Sequence, residues 1–510
     1  MKFFFSAHEK IARHYQAGAL FGSVFLCGAT LMMFELVGSR MFAPYLGTST
    51  FVWTSLIGVI LGFLSLGYWY GGKIADQKTS FEQYACIIFA AAISVLFVFC
   101  VHTSVLSFFQ QTIQSLELSA TLSAIILFAP TGFLLGIVSP YAVRLKMVHM
   151  EHSASTVGNL YAVSTAGSIF GTFFAGFVLI PTLGTAENIL LFALILLFTS
   201  LLFLRTKSMH IAVLGVFIFI CSLYALRVET RAFLFTRYHI LDIDSKYSRI
   251  KVYPSTDRLT GKEVLNVSTD PFGTECAMFV ESDELVFAYT KFYRLDGHFK
   301  PDLKNTLMLG GCAYSYPKDF LKRFPNAHMD VVEIDPVMTE LAKKYFRLKD
   351  DDRLTTYHED ARRFLNRSDK KYDVIYGDAF NSFSSVPFQL TTKEAIQLEY
   401  DALNDGGVVL ANLISSIDDT SGKFLRAQFA MYRSVFTQVY LFPVTYPEDG
   451  AYVQNILLVA IKSDKPPLFE SEDPELNEYL KHRWLKEVKN DLPILTDDYA
   501  PVDYYKRESL

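Results

Sequence analysis

The sequence predicts a two-part chain: a multi-span α-helical membrane domain, then an α/β doubly wound domain that opens with a small antiparallel β subdomain. Three observations carry this. Of the 510 residues 51% are hydrophobic, and the apolar excess lies almost wholly before residue 227. Short β-rich runs separated by turns follow. From residue 306 onward buried apolar runs alternate with amphipathic segments, the pattern of a mostly parallel sheet covered on both faces.

About 20 apolar residues suffice to cross the hydrocarbon core. Seven such spans are expected, at 17–37, 52–71, 82–101, 120–143, 157–181, 186–204 and 210–226. The first is too long for a removed leader and lacks a small-residue cleavage site, so it is an anchor. Lys2, Lys10, Arg13, Lys73, Lys78, Arg144, Lys146, Arg205 and Lys207 fall on one side, with little but Arg40 opposite. That bias places the N-terminus in the cytoplasm of a multi-pass protein of the cell (inner) membrane. Seven spans would put the C-terminal half outside. An eighth span or a re-entrant segment would reverse this, and "FAPTGFLLGIVSPYAVRLKM", with Pro130 and Pro140, is where the count is most exposed; the side stays open. Gly167-Ser-Ile-Phe-Gly171 allows close helix approach, within the chain or in a homodimer. Glu35 is an acid inside the first span; it is either functional or held near the interface by Arg40 or a backbone group.

Residues 1–227 are thus the helical domain, 228–245 a junction, 246–300 the β subdomain and 301–510 the α/β domain. "SRIKVYPS", "KEVLNVST" and "CAMFVES" are the subdomain's strands. In the α/β domain "TLMLGG", "MDVVEID", "LTTYHED", "YDVIYGD" and "GVVLANLI" each lead into a helix, and "QVYLFPV" and "NILLVAIKS" close the series. The net charge of −5 without a basic patch points away from nucleic acid. Six cysteines show no CxxC pair and no spacing for zinc, so neither a disulfide framework nor a metal site is expected.

Ligands of doubly wound sheets sit beyond the carboxyl ends of the strands. Gly310 and Gly311 follow the first strand, where missing side chains let a ligand approach the backbone. Glu333 and Asp335 end the second, about 20 residues on, where an acid can hold a ribose diol. Asp360 ends the third and Asp378 the fourth. Asp335, before Pro336, reads first as a helix cap; Asp360 is cap or ligand; Glu333 and Asp378 have no capping role in prospect.

The runs "TLMLGGCAYS", "VVEIDPVMTELAKKYF", "YDVIYGDAFNS", "FQLTTKEAIQ" and "LNDGGVVLANL" resemble the spermidine synthase family of aminopropyltransferases over residues 245–505. "ELVGSRMFAPYLGTSTFVWTSLIGVILGFLSLGYWYGGKIAD", "GNLYAVSTAGSIFGTFFAGFVLIP" and "LTDDYAPVDYY" resemble its bacterial membrane-fused members. The resemblance implies a Rossmann-like domain of the S-adenosylmethionine-methyltransferase type, with decarboxylated S-adenosylmethionine as co-substrate and no permanently bound cofactor. It assigns Glu333 to the ribose hydroxyls, Asp360 and Ala361 to the adenine, and Asp378 to the proton of the attacking amine. Ser248 takes the place of a usual glutamine among the donor contacts. Tyr247, Tyr289 and Tyr293 are pocket aromatics for a small amine, or core tyrosines.

The family's glycine loop reads GGGDGG, and its aspartate is here Ala313. "ELVFAYTKFY" replaces the customary Tyr-His-Glu stretch. Losing one charged partner from a buried site costs on the order of 2–4 kcal/mol of binding. The resemblance therefore implies aminopropyl transfer to putrescine or a related amine, beside two alternatives. These are a membrane-tethered methyltransferase using S-adenosylmethionine, and a non-catalytic nucleoside or polyamine sensor or transport partner.

Overall fold

The computed structural model describes residues 2–77, 79–147, 153–269, 273–379 and 386–507, without the side chains of 2–17, 153 and 507. Lys2, Lys10 and Arg13 of the charge pattern lie outside the described side chains, and Lys78 and residues 148–152 outside the described residues. The chain divides into two compact units, Met1–Arg237 and Tyr238–Leu510.

The first unit is helical. It comprises α1 (Lys2–Leu46), α2 (Thr50–Gln77), α3 (Phe81–Thr112), α4 (Leu116–Lys146) and α5 (Ser153–Phe174). α5 runs on through a π-helical turn (Ala175–Leu179) into α6 (Ile180–Thr182), and α7 (Thr185–Leu201) and α8 (Lys207–Tyr238) follow. Among the described residues six helical stretches are long and apolar enough to cross a membrane, and α7 is a shorter apolar helix. The expected span at 186–204 is thus the short α7, where Phe203 and Leu204 already lie beyond the helix end. Pro130 and Pro140 neither break nor re-enter: both sit inside the single helix α4. A transmembrane helix tolerates the lost backbone bonds when neighbouring helices take them up. Gly167 and Gly171 face α1, where an added Cβ would collide with the carbonyls of Phe25 and Ala29, so this seam closes within the chain. Hydroxyl pairs Ser23–Tyr84 (2.8 Å) and Ser94–Thr131 (2.7 Å) tie α3 to α1 and α4. Glu35 is buried at 8% exposure.

In the second unit β1 (Leu241–Asp244), β2 (Arg249–Thr256), β3 (Glu263–Ser268) and β4 (Cys276–Phe279) form an antiparallel sheet in sequence order. The stretch expected to be a junction, 228–245, is therefore the end of α8 and the strand β1; "LDID" alternates apolar and acidic residues but over only four positions, too few to stand out. Next come α9 (Ala288–Phe292), a 3-10 turn (Tyr293–Leu295) and α10 (Asp296–Phe299). The alternating series is β5 (Asn305–Leu309), α11 (Ser315–Arg323), β6 (His328–Val332), α12 (Pro336–Tyr345), β7 (Leu354–Tyr357), α13 (Ala361–Arg367), β8 (Tyr372–Gly377), α14 (Lys393–Ala402), β9 (Leu403–Ser415) and α15 (Lys423–Val435). β10 (Gln438–Pro443), β11 (Gln454–Ile461), α16 (Pro474–Lys481) and α17 (Val502–Arg507) complete it.

The seven-stranded sheet has the order β10-β11-β9-β8-β5-β6-β7. β5 to β9 pair in parallel, and β11 and β10 add antiparallel. Strand alternation feeds two cores: Leu307, Leu309, Ile375 and Val409 pack on one face, Met308, Val374, Tyr376 and Val408 on the other. β5 lies between β6 and β8, so the chain reverses its winding there and the strand ends open a crevice. This is a doubly wound α/β domain preceded by a small antiparallel sheet.

Candidate functional site

Gly310 leaves β5 with φ +93°, a conformation glycine adopts without strain. A Cβ there would also strike the carbonyl of Asp378, because the ends of β5 and β8 meet: Asp378 N–H donates to Leu309 O at 2.9 Å. The backbone then turns through Cys312 (φ 43°) and Tyr314 (φ 56°) into α11. Glu333 holds this loop from β6. Its Oε2 accepts the N–H groups of Gly311 (2.9 Å) and Cys312 (3.1 Å), and Oε1 accepts that of Asp335 (3.0 Å). Burial raises the Glu333 pKa, opposed by these three N–H bonds.

Cys312 is joined to Cys276 of β4 by a disulfide (Cα–Cα 6.4 Å), tying the glycine loop to the small sheet. The sequence led to the opposite expectation. The two cysteines are 36 residues apart on different substructures, so no spacing rule announces them. Ala313 is buried (2% exposed) in the apolar cluster of Ile250, Val252, Cys276, Met278 and Met338.

Asp378 projects from the end of β8. Its Oδ2 accepts the Tyr289 hydroxyl (3.2 Å) and its Oδ1 the Asn412 amide (3.0 Å). Asn412 Oδ1 in turn accepts the Asn455 amide at 3.0 Å. The residue keeps some accessible surface, yet the carboxyl lies deep enough that burial pushes its pKa up to about 6 against the three nearby donors. Tyr293 is fully buried beside Asp378, close enough to act on its charge; its hydroxyl makes no hydrogen bond among the described residues. Burial, then Asp378, holds both tyrosine pKa values well above their ordinary range. Of the polar loop after Asp378, residues 380–385 lie outside the described residues.

Asp335 is the N-cap of α12 (Val337 N–H, 3.1 Å), and its other oxygen accepts the Ser245 hydroxyl. Ser245 also accepts the N–H groups of Tyr247 and Ser248 at 3.0 Å each, which folds that turn against Asp335. Ser248 enters this turn through its backbone, and Tyr247 is 43% exposed. Asp360 caps α13 (Arg363 N–H, 3.0 Å) while its second oxygen accepts the Gln389 amide (3.2 Å). Ala361 is the buried first residue of α13.

Two groups thus form at the strand ends. Gly310, Asp378, Tyr289 and Tyr293 make one; Gly311, Glu333, Asp335, Ser245 and Ser248 make the other, with Asp360 and Ala361 at the end of β7 beyond it. Sequence reasoning missed Asn412, Asn455, Ser245 and the disulfide. The two asparagines did leave a signal: amide side chains within the apolar runs "VVLANLI" and "QNILLVAI".

Strand-end carboxyls around a glycine turn in a doubly wound sheet make a nucleotide-type α/β domain with its crevice at the strand ends. Residues 287–472 match the family described as "Spermine/spermidine synthase domain". The chain is 27% identical over 242 residues to a polyamine aminopropyltransferase of Vibrio vulnificus (strain CMCP6), covering 44% of this chain and 78% of that one. It is 31% identical over 218 residues to a probable polyamine aminopropyl transferase of Bifidobacterium longum (strain NCC 2705), covering 39% of this chain and 48% of that one. The crystal structure of a probable spermidine synthase from Corynebacterium glutamicum ATCC 13032 is 21% identical, with a TM-score of 0.39 over 47% of this chain and 85% of that one. The second unit therefore carries a spermine/spermidine synthase domain match over residues 287–472 and is similar to polyamine aminopropyltransferases.

Proposed function

We propose that the chain is a membrane-anchored enzyme of the aminopropyltransferase type. In the reaction the acceptor, putrescine or a related amine, attacks the propyl carbon bound to the sulfonium of decarboxylated S-adenosylmethionine. A C–N bond forms, and the C–S bond breaks with its electron pair returning to sulfur. Methylthioadenosine leaves, and the amine's proton passes to Asp378. The observation that carries this reading is the Asp378 carboxyl, raised to about 6 at the end of β8 with Tyr289 on its outer oxygen. A protonated amine has no lone pair, so an acceptor of intermediate basicity within reach is what the attack needs. The family and its polyamine-specific relatives support the same chemistry. Glu333, with the N–H groups of Gly311 and Cys312, is the proposed support for the nucleoside end. The apolar helices of the first unit are the proposed anchor in the cell membrane.

One observation favours a second donor. Ala313, at the place of the family's aspartate, is buried among apolar side chains and offers a donor amine no charge. S-adenosylmethionine, and with it methyl transfer, is the alternative. Incubating the detergent-purified full chain with putrescine and each donor separates the readings by mass spectrometry. Methylthioadenosine supports aminopropyl transfer, S-adenosylhomocysteine supports methyl transfer, and neither product leaves a binding protein.

A further inference from the structure

Two polar side chains interrupt the central strands of the large sheet, and both point along one line to Asp378. Asn412 lies on β9 and is 3% exposed; Asn455 lies half-buried on the neighbouring β11. An ionised carboxylate accepts only, so Asn412 must turn its NH2 group to Asp378 Oδ1, as it does at 3.0 Å. Its carbonyl then faces away and needs a donor, which Asn455 supplies at 3.0 Å. A lone asparagine could turn over; a second amide behind it removes that freedom.

Resting on the aminopropyl-transfer reading, we propose that Asn412 and Asn455 form a two-amide positioning relay that keeps Oδ1 of Asp378 capped and reserves Oδ2 as the atom that takes the amine's proton. Oδ2 is the oxygen on the tyrosine side, facing Tyr289 at 3.2 Å. The groups around the carboxyl fit this division. Among the described residues, Tyr289 and Tyr293 approach from the helical segment after residue 287, with Glu275 acting on Tyr289, while β9 presents the Asn412 amide and the glycine loop its backbone. Neither asparagine meets a reacting atom, so both are positioning residues.

The test uses the full chain in detergent. Infrared titration of the Asp378 carboxyl, as wild type minus Asp378→Asn, reads its protonation without turnover. Loss of one hydrogen bond to the charged form is expected to raise the midpoint by about one pH unit in Asn412→Leu and by about half that in Asn455→Leu. The double variant should match Asn412→Leu alone, because Asn455 acts only through Asn412. The acid limb of kcat/KM should move with the midpoint. If Asn412→Leu does not fold, the half-buried Asn455→Leu carries the same sign. Variants that lose thermal stability while midpoint and limb stay fixed show a structural role and overturn the relay, as does a midpoint that moves without the limb in a protein that turns over. Shifted midpoints in a protein without aminopropyl transfer keep the relay and overturn the proposed function.

Discussion

Replacing Asp378 by asparagine should make the protein both less active and more stable. Its carboxyl is carried from an ordinary value of 3.8 up to about 6, chiefly by burial. A raised carboxyl pKa means that the folded state binds the proton more tightly than the unfolded chain. The group is therefore neutral in effect below about pH 4, destabilises progressively as pH rises through 4 to 6, and exerts its full effect above about 6, on the order of 3 kcal/mol. The amide introduced by Asp378→Asn would keep an acceptor for Asn412 without the buried charge, so this variant should gain about 1–3 kcal/mol at pH 7.5 and almost nothing at pH 4. For a unit of this size that is a rise of about 3–10 °C in Tm. Turnover with an amine should fall by about 10²–10⁴-fold, with nucleoside affinity changed less than about threefold because the glycine loop and Glu333 are intact. The assay is scanning calorimetry of the full chain at both pH values beside steady-state kinetics. An unchanged Tm at pH 7.5 would refute the buried-charge argument, and retained turnover would remove Asp378 from the mechanism.

Glu333→Ala orphans three backbone N–H groups and loosens the glycine loop, so methylthioadenosine affinity should weaken by about 1.5–3 kcal/mol; unchanged affinity in calorimetry would place the nucleoside elsewhere. The Cys276–Cys312 bond closes 36 residues of sequence and should contribute about 3–4 kcal/mol. Peptide mapping of the unreduced protein should find the linked pair, reduction should lower Tm, and two freely alkylated thiols would contradict it. Loop charges predict a cytoplasmic N-terminus and 144–156 loop; residue 510 falls inside with the six long spans alone and outside when the short α7 also crosses. Reporter fusions at the three positions check this, and an external 144–156 loop would break the assignment of the first helices.

The fold was legible where the hydrophobic period is strong. Long apolar runs mark α1 to α5, α7 and α8, and the strand-helix alternation from residue 306 matches β5 to β11 element by element. It was least legible at 228–245, where α8 continues past its apolar stretch on arginines that pair with Glu187 and β1 is too short to register. Position at strand ends marked Glu333 and Asp378, since sheet topology converts order in sequence into proximity in space. What those carboxyls do was less visible. Glu333 has no capping task in the sequence, yet it grips two N–H groups of a loop that follows a different strand, and a third two residues on in its own. Contacts between elements far apart in the chain, such as Asn412 with Asn455 or Cys276 with Cys312, obey no local period and so leave no pattern to read.

The missing acid of the glycine loop has a physical explanation in the packing. In this loop the backbone of Cys312 serves Glu333 while its side chain is bonded to β4, and Ala313 follows into the apolar cluster under the small sheet. An aspartate at 313 would have to leave that cluster or be buried unpaired, at a cost of several kcal/mol. Charge at 313 and this packing of the loop exclude one another. The loop keeps its glycine turn, turns the N–H groups of Gly311 and Cys312 to Glu333, and gives its side chains to the protein interior. Under the proposed function, recognition of whatever extends from the nucleoside would then fall to the groups at the end of β8, Asp378 with Tyr289 and Tyr293.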